Sequence, residues 1–158
     1  MRHAVVLTAA FALLLSSQIA SATKCFEIAQ GFSIQARILP GPSEAETVLH
    51  ISCGGHAALI ITSPGHERVR KEWHLSFEQM RALLDSVESA SFYSLPRQLG
   101  DGPPTPTTRA YKLRLYRDLN RYSVVYYGGL PDADSRKVRF AKVWITAFES
   151  SGAIPPLP

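Results

Sequence analysis

The chain has 158 residues, a net charge of +4 and a hydrophobic content of 46%. This length fits one domain with a sizeable core. The basic residues are scattered without a Lys/Arg run, which argues against nucleic acid as a partner. Beyond the N-terminal segment, no apolar run approaches the roughly 20 residues that a spanning helix needs.

The N-terminal segment is typical of a secretory signal peptide. Arg2 precedes an apolar run, Ala4–Leu15, that is too short to span a membrane. Ala20-Ser21-Ala22 has the A-x-A pattern of a cleavage site. We expect cleavage of residues 1–22, which leaves 23–158 as a single periplasmic or secreted domain. An uncleaved anchor is the alternative.

The two cysteines, Cys25 and Cys53, suggest one disulfide in an exported chain. Such a bond would join the N-terminal segment to the second strand. Two unpaired buried thiols are the alternative.

Four strands are predicted before the first helix. Apolar residues alternate with polar ones over 32–38 and 47–53, the period of a half-buried strand. Ala57–Ile61 is continuously apolar, which favours a central strand. Val69–Leu75 alternates less cleanly, and its many charges suit an edge strand.

A capped helix follows these strands. Ser76 and Gln79 have the spacing of a capping box. Apolar residues then recur on one helical face, at Phe77, Met80, Leu83, Leu84 and Val87. Pro96 disfavours helical backbone at the residue before it.

The last third predicts a stiff loop, a hairpin and a second helix. Residues 97–107 contain three prolines, and two alternating runs, 109–117 and 121–127, flank a short turn. Asp132 or Asp134 caps the second helix. Its predicted buried stripe is Val138, Ala141, Trp144, Ile145 and Phe148. The predicted fold is α+β, with a single antiparallel sheet, two helices on one face and the order β-β-β-β-α-β-β-α.

Several phrases of the last two-thirds resemble a family of small bacterial exported domains of unknown function. The matching residues, within about 51–148, are Leu83-Leu84, Phe92–Leu95, Asp101–Thr105, Tyr111–Leu115 and Tyr127–Pro131. The family pattern carries Cys-x-Gly-x-Cys, but the second cysteine is replaced here by Ala57. The resemblance therefore leaves Cys53 to pair with Cys25, and it implies no catalytic residues.

One cluster has residue types that bind zinc or copper: His50, Cys53 and His56. The spacing matches no standard zinc motif, and a disulfide at Cys53 would remove its thiolate. A Cys53–His56 nucleophile pair is a second reading, and ordinary strand and bend residues are a third. We favour the third and expect no metal and no cofactor.

Candidate binding residues lie in the loop and the hairpin. Asp101 and Thr105 belong to a stiff loop of the kind that often carries recognition, although turn chemistry also explains Asp101. Tyr116 and Tyr127 belong to a tyrosine-rich hairpin that could offer a contact patch. Cross-strand packing is the alternative for these tyrosines.

The leading hypothesis is an exported, non-catalytic binding or interaction domain. No Gly-rich phosphate loop, Gly-x-Ser-x-Gly elbow or His-Glu-x-x-His helix occurs in the sequence. Its partner would be a protein or ligand of the envelope or the extracellular space. The alternatives are a secreted hydrolase inhibitor that presents the loop 100–107, and an enzyme or metal protein centred on His50, Cys53 and His56.

Overall fold

The structure is a computed structural model that describes residues 25–40, 44–102 and 109–152. Within these ranges, seven strands form one mixed sheet in the order β4-β3-β2-β1-β6-β7-β5. The strands are β1 Phe32–Leu39, β2 Glu46–Ile51, β3 His56–Thr62, β4 Val69–His74, β5 Gln98–Leu99, β6 Ala110–Arg117 and β7 Asn120–Tyr126. The helices are α1 Phe77–Ser89 and α2 Ser135–Ser150, and short 3-10 turns occupy Glu27–Ala29 and Phe92–Ser94.

The predicted α+β class is confirmed, but the prediction of an all-antiparallel sheet is wrong. Gln98 and Leu99 pair in parallel with Val125 and Tyr126. This two-residue strand lies in the segment predicted as a stiff loop, and it makes the order β-β-β-β-α-β-β-β-α. The remaining strand pairs are antiparallel.

Successive side chains of each strand point to opposite faces of the sheet, and one of these two sets forms part of the core. Along β1, every second residue from Phe32 to Ile38 is buried, as the two-residue period of a strand requires. Their cross-strand partners, such as Leu49 of β2 and Leu113 of β6, are buried as well. The charged strand β4 lies at the edge of the sheet, where its charges discourage further pairing.

Both helices contribute to the same hydrophobic core. Ser76 and Gln79 form the predicted capping box at the start of α1, and Met80, Leu83 and Val87 are buried. Within the described ranges, neither helix is long and apolar enough to cross a membrane.

The buried stripe of α2 differs from the predicted one. Val138 is 52% exposed, whereas Phe140 is fully buried together with Val143, Trp144, Ala147 and Phe148. Phe140 packs 5.8 Å from the ring of Tyr126, and Trp144 lies 5.4 Å from the ring of Tyr111. The large aromatic rings thus determine which side of the helix meets β6 and β7, because they bury far more apolar surface than Val138 would.

The predicted disulfide between Cys25 and Cys53 is confirmed. It joins the N-terminal segment to the turn after β2, and the Phe26 amide donates to the Cys53 carbonyl at 3.1 Å. The Phe26 ring then packs edge-on against Phe77 at the start of α1. These contacts tie the first described residues to both the sheet and a helix.

Candidate functional site

One face of the sheet packs on the helices, and in the described part of the chain the other face has only its own side chains above it. We call the second surface the open face. It consists of the residues that alternate with the core positions, and most of them are half-buried although neither described helix lies over them. Long polar side chains cover one another on this face, which explains their partial burial.

Four basic residues meet on the open face: Arg37 of β1, Lys112 and Arg114 of β6, and Arg121 of β7. We call them the basic cluster. Arg37 lies directly opposite Lys112 in the pairing of β1 with β6. Arg121 pairs with Tyr116, and Tyr116 lies two residues after Arg114 on the same face of β6. Within β2, β1, β6 and β7, Glu46 supplies the one carboxylate at an outward position, and it forms an ion pair with Arg37.

The cations of the basic cluster perturb one another. Partial burial lowers the pKa of Lys112, and the positive charges of Arg114, Arg37 and Arg121 lower it further. This shift is the expected response of an ammonium group to desolvation and like charges. The cluster therefore has a positive potential that Glu46 neutralises only in part.

Neutral hydrogen-bonding side chains lie between these cations. Arg114 Nη1 donates to Gln35 Oε1 at 3.2 Å, and the Arg114 Nε is a buried donor without a partner in the described part of the chain. Gln35 pairs with His50 on one side, and Arg114 pairs with Ser123 on the other. The open face thus combines positive charge with donors and acceptors that suit a polar ligand.

Three histidines lie on the open face beside the basic cluster and toward the β4 edge: His50 of β2, next to Gln35, His56 of β3 and His74 of β4. The rings of His56 and His74 are 5.4 Å apart, and His56 Nε2 lies 3.9 Å from Glu72 Oε2. Burial lowers the pKa of His50, and His56 lowers it further. Cys53 is bonded to Cys25 and has no thiolate to offer a metal or a substrate. Among the described residues, no group of three potential ligands is arranged to hold a metal ion.

The structure separates the predicted binding residues. Tyr116 lies on the open face between Ser33 of β1 and Arg121 of β7. Tyr127 follows β7, and its amide donates to the Leu99 carbonyl at 3.0 Å. Thr105 lies outside the described residues.

Asp101 lies in a closely packed loop stem. A Cβ added at Gly129 would collide with the Asp101 carboxylate, and one added at Gly100 would collide with the Gly128 carbonyl. Asp101 is therefore held against a second glycine turn, away from Tyr116 and its strand partners.

The other tyrosines of the hairpin belong mainly to the core side. Tyr111 and Tyr126 are buried, and the Tyr122 hydroxyl donates to the Leu95 carbonyl at 3.0 Å. Tyr122 also packs against Phe92 and Tyr93. Packing therefore explains these three tyrosines, whereas Tyr116 lies on the open face.

No protein-family model and no curated protein sequence matches this chain. The resemblance to small exported domains accordingly stays a prediction. The open face, with its basic cluster and Tyr116, carries the functional argument.

Proposed function

We propose that this protein is an exported, non-catalytic binding domain and that the open face is its binding surface. The observation that carries the proposal is the meeting of the basic cluster, Tyr116 and neutral hydrogen-bonding side chains on one sheet face that neither described helix covers. The basic cluster extends over three neighbouring strands, which suits recognition of an extended partner rather than enclosure of a small substrate. The proposed partner belongs to the cell envelope or the extracellular space.

The Cys25–Cys53 disulfide supports the proposed location, because such bonds persist in oxidising compartments. The signal-like segment 1–22 points the same way. Mass spectrometry of the protein recovered from its native cell tests this location. Cleavage after Ala22 and an intact bridge are the expected results, and a reduced, uncleaved chain would contradict the proposal.

Capture from an envelope extract tests the binding role. Residues 23–158 with the bridge intact are immobilised beside two variants. The first, Y116A/R121Q, alters the open face, and the second, K142Q, removes one positive charge on the exposed side of α2. We expect capture by the wild type and the second variant and loss of capture by the first. Equal capture by all three proteins would refute a role for the open face.

A second candidate function is inhibition of a hydrolase by the loop 100–107. It is favoured by the anchoring of the loop stem: the Val125 amide donates to the Arg97 carbonyl and the Tyr127 amide to the Leu99 carbonyl. A stem fixed in this way lowers the entropy cost of presenting a loop. Assays against proteases and lysozymes test this candidate. Asp101→Ala should weaken any inhibition, and an inactive wild type would eliminate the candidate.

A further inference from the structure

The basic cluster has regular spacing. Neighbouring strands lie about 4.8 Å apart, and residues two apart on one strand are separated by about 6.7 Å. Arg37 and Lys112 are cross-strand neighbours, and Lys112 and Arg114 lie two residues apart along β6. Positive charges therefore recur along two directions of the open face, across the strands and along β6. A ligand with several negative charges can meet this array, whereas a single small anion would engage only part of it.

The neutral side chains between the basic residues further restrict the class of ligand that the open face can bind. Gln35, Ser33 and Ser123 lie at outward positions among the charges, and Tyr116 lies beside Arg121. These neutral groups bind hydroxyls, and an aromatic ring offers a surface to a sugar ring. A polymer that carries both carboxylates and hydroxyls would contact the basic residues, the neutral polar side chains and Tyr116 together.

The open face fits other polyanions less well. The large hydrophobic side chains that are exposed in the described ranges are Ile28, Val69, Phe77, Leu119 and Val138. None belongs to the open face, where Val48 lies opposite Arg37 and Val125 opposite Lys112 but both side chains are half-buried. This surface therefore exposes no large apolar side chain in the described ranges that could insert deeply into a lipid layer. The centres of protein interfaces are depleted in lysine, yet Lys112 lies in the middle of the basic cluster.

We propose, building on the binding function above, that the open face binds an acidic polysaccharide. The basic cluster holds the carboxylates of the polymer, and Ser33, Gln35, Ser123 and Tyr116 contact its hydroxyls and rings. Glu46 limits the affinity, because it occupies Arg37 and repels the ligand. The interaction is electrostatic in large part and weakens as salt rises.

Four probes separate this ligand from other sources of negative charge. Polygalacturonate carries carboxylates on sugars, polyglutamate carries carboxylates without sugar hydroxyls, and dextran carries hydroxyls without charge. Vesicles containing phosphatidylglycerol present a charged lipid surface. We expect the protein to bind polygalacturonate most tightly and to bind dextran weakly or not at all. Comparable affinity for polyglutamate or for the vesicles would overturn the proposal in favour of an acidic protein or a membrane.

Charge variants test the site itself. Lys112→Gln and Arg121→Gln should each weaken polygalacturonate binding about three- to fivefold. Lys142→Gln, on the exposed side of α2, removes the same charge elsewhere and should leave binding unchanged. An equal loss in Lys142→Gln would show that only net charge matters, and this result would overturn the proposal.

Two further variants give readouts that misfolding would not produce. Glu46→Gln should tighten binding about two- to fivefold, because it releases Arg37 and removes a repulsive charge, whereas Glu149→Gln on α2 should not. Ser123→Ala should weaken binding of polygalacturonate about two- to tenfold without affecting polyglutamate. If Glu46→Gln weakens binding or leaves it unchanged, the proposed site is wrong. If no polymer binds but envelope capture still depends on Tyr116 and Arg121, the polysaccharide proposal fails and the binding function stands.

Discussion

The Cys25–Cys53 disulfide joins residues with a sequence separation of 28, and its removal gives a stability change that can be calculated. In the chain-entropy model, a loop of this size lowers the entropy of the unfolded state by about 12 cal/mol/K. The corresponding free energy of unfolding at 25 °C is about 3.5 kcal/mol. We therefore expect Cys25→Ser/Cys53→Ser to be less stable than the wild type by about that amount. For a domain of this size, the melting temperature should fall by roughly 10–15 °C.

Urea denaturation of the oxidised wild type, the double variant and the reduced wild type measures this difference. The reduced wild type and the double variant should agree, because both lack the crosslink. Hydrogen exchange should show faster opening of residues 25–31, which the bridge and the Phe26–Phe77 contact tie to the sheet and α1. A loss below about 1 kcal/mol, with the bridge verified in the wild type by mass spectrometry, would refute the chain-entropy reasoning for this protein.

Three further predictions concern the loop stem, the first helix and pH. Gly102→Ala should cost about 1–2 kcal/mol of stability because φ is positive at this residue. Gly100→Ala should cost about 1–3 kcal/mol more than Gly102→Ala, because its Cβ would collide with Gly128. Equal urea midpoints of the two variants would contradict this prediction. Ser76→Ala should cost about 1 kcal/mol by removing the capping box, and an unchanged melting curve would contradict it. Because the pKa of His50 is lowered from 6.5 by burial and by His56, the unfolded chain binds more protons just below pH 6.5 and stability falls as pH drops through that range. His50→Gln should flatten this part of the stability profile, measured by urea denaturation from about pH 7.5 to about pH 5, and an unchanged slope would show that His50 is not its source.

Local patterns predict the elements that repeat a period several times. The alternation along β1 and β6 identifies both strands to within one residue of their observed bounds. The capping box marks the first turn of α1 for the same reason, since its residues interact within one helical turn. Strand β5 cannot be predicted in this way, because its two residues, Gln98 and Leu99, are too few to show an alternating pattern. Its pairing with β7 is a tertiary contact.

The α2 stripe shows how tertiary contacts decide between competing helical faces. Phe140 lies four residues before Trp144, whereas Val138 joins the predicted stripe through Ala141, three residues after it. The rings of Tyr111 and Tyr126 on the sheet select the face with Phe140 and Trp144. The sequence of the helix alone does not show that its aromatic residues will pack against Tyr111 and Tyr126.

The basic cluster was the part of the candidate site that sequence reasoning missed. Each of its members occupies an outward strand position, where the sequence alone predicts an ordinary solvent-exposed charged residue. The pairing of β1 with β6 brings together Gln35 and Arg114, which are 79 residues apart in the chain. The available signal was the recurrence of Lys112 and Arg114 at alternate positions of β6. Only the pairing of β6 with β1 converts that recurrence into a single surface.

The position of β1 between β2 and β6 also has a consequence for how the chain folds. A protein made from its N-terminus completes β1–β4 and α1 well before residues 110–117 exist to cover the second edge of β1. Such distant pairing raises the contact order and slows folding. Until it forms, β1 exposes an eight-residue edge with alternating apolar side chains, and an edge of this kind recruits other chains. Fragments that end before Ala110 should therefore aggregate, although they contain four complete strands and a capped helix.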